Sequence, residues 1–275
     1  MSPDAAGLTR RNLFGIGVDA LTMTQALGRC TDAVEHGRFL SVGMVNAAKV
    51  AVMHRDERLR QAVAGSAMVL ADGQSVVWAS RMLGSPVPER VAGIDLFVAL
   101  LGEADRRGYR VYFLGARRDV VDRMLAEVGR KYPGLAVAGA RDGYFRPGEE
   151  PDIAAEIRRS GADLLFVGMP SPKKEMFVSK WGKNTQAKVV HGVGGSFDVL
   201  AGLTRRAPGW CQAVGLEWLY RAWQEPARLG RRYLTTNMTF IALVARERMR
   251  QSRRRDAPGS ERTVPGRPGA RGERV

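Results

Sequence analysis

The sequence predicts an α/β protein, a Rossmann-like, mainly parallel sheet sandwiched by helices, with a C-terminal helical appendage. Short β-branched runs alternate with helical patterns along the body of the chain, and glycine stands at several of the strand ends. The run Asp163-Leu-Leu-Phe-Val-Gly168 lacks apolar–polar alternation, as a central strand buried on both faces should.

Strands are expected at Phe39–Val45, Ala67–Ala71, Arg110–Gly115, Leu135–Ala138, Asp163–Gly168 and Lys188–Val193. Helical patterns fill the gaps at Gln25–Glu35, Gly73–Leu83, Ile94–Arg106, Val120–Lys131, Ile153–Arg159 and Lys174–Gly182. After Leu203 the character changes. Arg206-Ala-Pro208 ends the α/β pattern, and Gly215–Trp223 is a helix rich in aromatics. Glu225-Pro226 breaks it, and Ala227 to Arg250 predicts one or two further helices. From Gln251 onward Arg, Gly, Pro and Ser dominate, which predicts disorder. The expected organisation is therefore an N-terminal tail (1–12), an α/β catalytic domain (13–203), a helical membrane-binding appendage (204–250) and a disordered basic tail (251–275).

The 275-residue chain carries a formal net charge of +15. From Arg205 to the end there are 16 arginines against six acidic residues, so most of that charge is C-terminal. Such a region suits an anionic partner: nucleic acid, anionic lipid or a phosphorylated substrate. No apolar run approaches the roughly 20 residues that span a bilayer, and the first residues lack a secretory apolar core. A cytoplasmic location is expected. Cys30 and Cys211 have no Cys or His neighbour at metal spacing, and His36, His54 and His191 are scattered. Reduced core cysteines and no metal site follow.

Several segments offer chemistry at predicted strand ends, where open α/β sheets bind ligands. Asn46 follows the first strand, either as a pocket residue or as a helix cap. Asp72 in Ala71-Asp72-Gly73 either takes a proton from an attacking hydroxyl or caps the next helix. Arg90 and Asp95 flank a glycine turn, and Asp95 either caps the helix that follows or hydrogen-bonds a ribose or sugar hydroxyl. Gly115 and the Ala116–Asp119 segment form a strand–glycine–helix junction suited to phosphate, without a full G-x-G-x-x-G. In Gly168-Met-Pro-Ser-Pro-Lys-Lys-Glu175, Lys173 and Lys174 open a helix against its dipole, ahead of Glu175. That placement suits a diphosphate, with a solvated surface as the alternative. Gly192-Val-Gly-Gly-Ser-Phe-Asp198 supplies Gly194 and Gly195 for close backbone approach to a ligand, or for a tight turn, with Asp198 beyond them. Arg205, Arg206, Arg221, Arg228, Arg231 and Arg232 interleave with Trp210, Trp218, Tyr220, Trp223 and Tyr233. Guanidinium groups suit a diphosphate, and such rings suit a membrane–water interface.

In order and spacing these segments resemble the WecG/TagA/CpsF glycosyltransferases, from about Leu13 to Leu234. The resemblance rests on Val45-Asn46, Ala71-Asp72-Gly73, Arg90-Val-Ala-Gly-Ile-Asp95, Val167–Glu175, Gly192–Asp198, Arg206-Ala-Pro208 and Gly215-Leu-Glu-Trp-Leu-Tyr-Arg221. It implies an inverting transferase with neither metal nor cofactor. The implied donor is a UDP-sugar such as N-acetylmannosamine or its uronic acid, and the implied acceptor a polyprenyl-diphosphate-linked saccharide. Asp72 matches the family's proposed base, and Asn46 a substrate-pocket position. Arg221, Arg228 and Arg231 match appendage arginines expected to meet the nucleotide diphosphate at an anionic membrane surface. Met44 stands where the family often has Thr, and Lys174 where it often has Gln. Both departures bear on the donor sugar.

The expectation is a glycosyltransferase of bacterial surface polysaccharide synthesis, peripheral on the inner face of the cytoplasmic membrane. A homo-oligomer is compatible with the sequence, and no nucleic-acid partner is expected. A Rossmann oxidoreductase would need a glycine fingerprint after the first strand, which Leu40-Ser-Val-Gly-Met-Val-Asn46 lacks. A nucleic-acid-binding protein would account for the charge and leave Asp72 and Gly192–Asp198 idle.

Overall fold

A computed structural model describes residues 9–209, 211, 219–220, 223 and 231–255. Its centre is a six-stranded sheet in the order β4-β3-β8-β7-β5-β6, every neighbouring pair parallel. The strands are β3 (Leu40–Val45), β4 (Met68–Ala71), β5 (Arg110–Gly115), β6 (Ala136–Arg141), β7 (Leu164–Gly168) and β8 (Val189–Gly192). β4 and β7 are buried at every position, which explains their unbroken apolar runs, whereas edge strand β6 is half exposed. Because all six strands run the same way, all their carboxyl ends lie along one edge.

Ten α-helices are described: α1 (Met23–Glu35), α2 (Ala47–Met53), α3 (Glu57–Ala64), α4 (Gln74–Met82), α5 (Gly93–Arg107), α6 (Arg118–Lys131), α7 (Glu150–Ser160), α8 (Lys173–Trp181), α9 (Ser196–Leu200) and α10 (Arg231–Arg255). Local chemistry sets many of their ends. Thr22 and Gln25 form a reciprocal capping box on α1, and Asp56 caps α3. α5 and α7 stop at Gly108 and Gly161, both left-handed. One apolar cluster packs α1, α5, α6 and α9 on the sheet through Cys30, Leu96, Phe97, Met124 and Phe197. A second joins α7 and α8 to the sheet through Ile153, Ile157 and Phe177. The third gathers α2, α3, α4 and α10 with the chain's first two strands.

Those two strands, β1 (Arg10–Leu13) and β2 (Ile16–Asp19), form an antiparallel hairpin that the sequence reading did not anticipate. Its turn places Phe14 and Gly15 at positive φ, the geometry of a two-residue I′ hairpin. Glycine is the usual choice there. Phe14 is held by packing its ring on Phe240 of α10, with centroids 5.4 Å apart. Buried Asp19 ties the hairpin to the sheet, pairing with Arg10 at 3.0 Å and accepting from the Val69 N–H at 2.7 Å. β1 thus begins within the segment read as a tail.

All six predicted strands and the six helices predicted among them form, with ends shifted by up to three residues, while the aromatic helix expected at Gly215–Trp223 lies mostly outside the described residues. Helices α2, α3 and α9 are additional. The first two follow β3 within one short connection, where pattern alone did not separate them. At the other end α10 continues to Arg255, five residues into the segment expected to be disordered.

Candidate active site

Asp72 follows β4 directly, so its carboxylate stands at the carboxyl edge of the sheet. It does not cap α4. Gly73 holds that position with no side-chain bond. Instead Asp72 Oδ1 accepts from the Gly93 N–H at the start of α5 (2.8 Å), and Oδ2 accepts from Asn46 Nδ2 (3.2 Å). The carboxylate therefore sits against the N-terminus of a 15-residue helix, where a negative charge is favoured. It stays half exposed, and each oxygen retains a second lone pair for a proton or substrate hydroxyl.

Asn46 is a helix cap that also reaches Asp72. Its Oδ1 caps α2 by accepting from the Lys49 N–H at 3.0 Å, which turns its amide nitrogen toward Asp72. One turn on, the Lys49 side chain is buried and pairs with buried Glu175 at 2.8 Å. Lys174 shares that carboxylate at 3.5 Å. Burial would raise the Glu175 carboxyl, but the two ammonium groups override it and hold it down at about 2. Lys174 is pushed down to about 8, chiefly by burial and then by the charge of Lys49, against the pull of Glu175 and Asp72. Its ammonium lies 3.3 Å from where a Cβ on Gly194 would stand, so a side chain at that left-handed glycine would press on it. The Gly192–Gly195 loop and the start of α8 thus meet over Lys174. Gly168 permits this junction, because a Cβ there would fall 2.5 Å from the Phe197 ring of α9.

Lys173, by contrast, turns toward the loop after β6, donating to the Gly143 carbonyl at 2.8 Å with its ammonium 3.7 Å from the Phe145 ring centre. Asp95 lies in the first turn of α5, whose N-cap is Ala92. It is paired with Arg206 at 2.6 Å and with Arg90 at 3.8 Å, joining the Arg206-Ala-Pro208 segment to the helix that holds Asp72. Asp198 lies in α9, its carbonyl accepting from Leu203 and Thr204; Gly195 is exposed just before it. Met44 is buried against Gly93, so it shapes the floor beneath the pocket. Arg221 and Arg228 lie outside the described residues, as does the side chain of Arg231.

Two participants escaped the sequence reading. Lys49 stood within the apolar run Ala47-Ala-Lys-Val-Ala-Val-Met53, where a lone lysine signals burial beside a counter-charge. His191 stood in β8, a strand otherwise apolar up to its final glycine, and is wholly buried. Its Nε2 meets the Gly93 carbonyl at 2.9 Å. A cavity of about 680 Å³ lies at the far end of α2 between the hairpin turn and α10. Its lining includes His54, Glu57, Arg60 and Arg246 and none of the groups around Asp72.

Among the described residues, no helix is long and apolar enough to cross a membrane, and no three His, Cys, Asp or Glu side chains gather as a metal site. The arrangement is a carboxylate oriented by two donors, beside lysines and a glycine loop at the carboxyl edge of a parallel sheet. It suits proton abstraction next to an anionic leaving group.

The chain is 39% identical over 189 residues to an N-acetylglucosaminyldiphosphoundecaprenol N-acetyl-beta-D-mannosaminyltransferase of Bacillus spizizenii, covering 68% of this chain and 72% of that protein. It is 34% identical over 174 residues to a protein of the same name from Bacillus subtilis, covering 63% of this chain and 67% of that protein. Residues 11–254 match the profile of the Glycosyl transferase WecG/TagA/CpsF family. The chain belongs to that family, and it is a glycosyltransferase.

Proposed function

We propose that the enzyme transfers a hexose, N-acetylmannosamine or its uronic acid, from a UDP-sugar to a polyprenyl-diphosphate-linked saccharide. The reaction inverts the anomeric centre, needs no metal, and serves bacterial surface polysaccharide synthesis. The carrying observation is the half-exposed Asp72 carboxylate, oriented by Asn46 and by the N–H of Gly93. In this reading Asp72 takes the proton of the acceptor hydroxyl as its oxygen attacks the anomeric carbon. The bond to the diphosphate breaks and UDP leaves with the electron pair. Lys174 and the Gly192–Gly195 loop face the growing negative charge, together with the appendage arginines Arg221, Arg228 and Arg231.

The membrane-held acceptor calls for a peripheral position on the inner face of the cytoplasmic membrane. Exposed Leu219, Trp223, Met238, Ile241 and Met249, set among arginines, support that reading.

The test is UDP release from a panel of UDP-sugars, with diphosphopolyprenol-linked N-acetylglucosamine as acceptor and EDTA present throughout. Asp72→Asn should keep donor affinity and slow turnover by about 10²–10⁴-fold. Near-wild-type turnover in that variant would remove Asp72 as the base. Donor consumption without a lipid-linked product would remove the acceptor assignment.

A further inference from the structure

β8 brings a polar side chain into the centre of the core. His191 is completely buried, with Val42 of β3 and Phe166 of β7 at the same sheet level, and the Phe166 ring centroid lies 6.3 Å from its own. An aliphatic residue would fill such a place without the cost of desolvating an imidazole. Burial pushes the imidazole down to about 4, so the ring is neutral at ordinary pH. The Gly93 carbonyl can only accept, so the 2.9 Å contact makes Nε2 the N–H donor. Nδ1 is then a bare acceptor, without a hydrogen-bond partner among the described residues.

Gly93 is also the residue whose N–H holds Asp72 Oδ1 at 2.8 Å. It is the first residue of α5, and the N-cap Ala92 makes no side-chain bond. The start of the helix is therefore fixed from outside, by Asp72 at the end of β4 and by His191 within β8, and both strands flank β3. A Cβ on Gly93 would lie 3.4 Å from Met44 Cε and 3.7 Å from His191 Cε1, at ordinary van der Waals distance, so the residue is packed against both side chains.

We propose that His191 is a positioning residue for the transfer reaction, anchoring Gly93 through its carbonyl so that the Gly93 N–H holds the Asp72 carboxylate in its reactive orientation. This rests on the reading of Asp72 as the base. His191 touches neither substrate nor reacting atoms; it acts through one residue of backbone. Displacing a reacting group by a fraction of an ångström is enough to slow an oriented reaction severely.

Four variants of the full chain test it: His191→Met, which keeps bulk and removes the donor; His191→Gln, which supplies an amide N–H near Nε2; Asp72→Asn; and Asp72→Asn combined with His191→Met. Circular dichroism and thermal melting establish that each is folded. His191→Met should lower kcat by about 10- to 100-fold with donor KM little changed, and His191→Gln should recover most of that loss. In the Asp72→Asn background His191→Met should cost almost nothing more, because the group it positions is already gone. A purely structural role would give additive losses and no rescue by Gln, and would overturn the inference. So would a full-speed His191→Met beside a slow Asp72→Asn, which leaves the base assignment standing. Near-wild-type turnover in Asp72→Asn itself would overturn both. Nitrogen NMR of the wild-type enzyme reports without any variant. The neutral Nε2–H tautomer should persist from about pH 8 to about pH 6, and the Nδ1–H tautomer would refute the proposed hydrogen bond.

Discussion

At Lys174, burial and charge pull in opposite directions, and the balance falls within reach of an ordinary pH titration. Burial brings the ammonium down to about 8 from its usual 10.5. The charged form therefore costs the fold stability below about pH 8, and that cost is relieved as pH climbs toward 10.5. Function should respond in the opposite sense. If Lys174 meets the donor's negative charge, donor KM should rise above about pH 8 by up to tenfold per unit, with kcat less affected. In Lys174→Gln that dependence should disappear, leaving a KM that is uniformly higher and flat across the range. A wild-type profile unchanged in the variant would detach Lys174 from the donor.

Helix α8 shows how an element is anchored by the charges it carries into the protein. Lys173 and Lys174 begin it in the turn where positive charge is least favoured, yet neither is a solvated lysine. Lys173 holds the loop after β6, and Lys174 shares Glu175 with Lys49 of α2. Glu175 is thus the contact that sets the spacing of α2 and α8 across the pocket. Glu175→Gln would leave two buried ammonium groups facing each other without a counter-charge. It should lower unfolding free energy by about 3–5 kcal/mol, measured by urea titration near neutral pH. The Glu175 carboxyl is held at about 2, below its ordinary 4.5, so its contribution is complete above about pH 4.5 and fades as pH falls toward 2. The stability gap between wild type and variant should shrink over that interval. A gap of constant size down to pH 3 would show that Glu175 is held by something other than its charge.

Across the whole molecule, α10 belongs to the body as much as to any appendage. Phe240 and Val244 are buried in the cluster formed by the hairpin, α2, α3 and α4. The same helix carries eight arginines and one glutamate, whereas residues 256–275 hold four arginines against three acidic residues. More of the C-terminal positive charge is therefore carried by α10 than by the residues after it. Removing residues 256–275 changes the net charge by one, so anionic-liposome binding should weaken by at most about fivefold, at roughly 1 kcal/mol per charge. Turnover on a water-soluble acceptor analogue should be unaffected. Truncation after Leu203 should abolish liposome binding and lose turnover on the soluble analogue. It should also lower the unfolding midpoint, because Phe240 and Val244 leave the core. A folded Leu203 truncation working at full rate on the soluble analogue would confine the C-terminal region to anchoring. The roles proposed for Arg221, Arg228 and Arg231 would go with it.

The sequence by itself determined the sheet, six of the helices packed on it and the edge that carries the candidate site. Unbroken apolar runs such as Leu164–Gly168 report burial on both faces, and in a parallel sheet Asn46, Asp72, Lys174 and Gly194 must then share one end. Local signals of that kind need no knowledge of distant contacts. They did not reveal the hairpin at Arg10–Asp19, whose four-residue strands are too short for a period to show. Nor did they decide whether Asp72 caps the helix that follows it, since a capping carboxylate also stands after a strand. The structure puts Gly73 at the cap, and Asp72 Oδ1 accepts instead from the N–H of Gly93, 21 residues away. The pairing of Lys49 with Glu175 and the seating of His191 under Gly93 were likewise decided by tertiary structure alone. The physical reason is common to all three. A buried polar group must find its partner wherever the fold supplies one, and the partners of these groups lie 21 to 126 positions away along the chain.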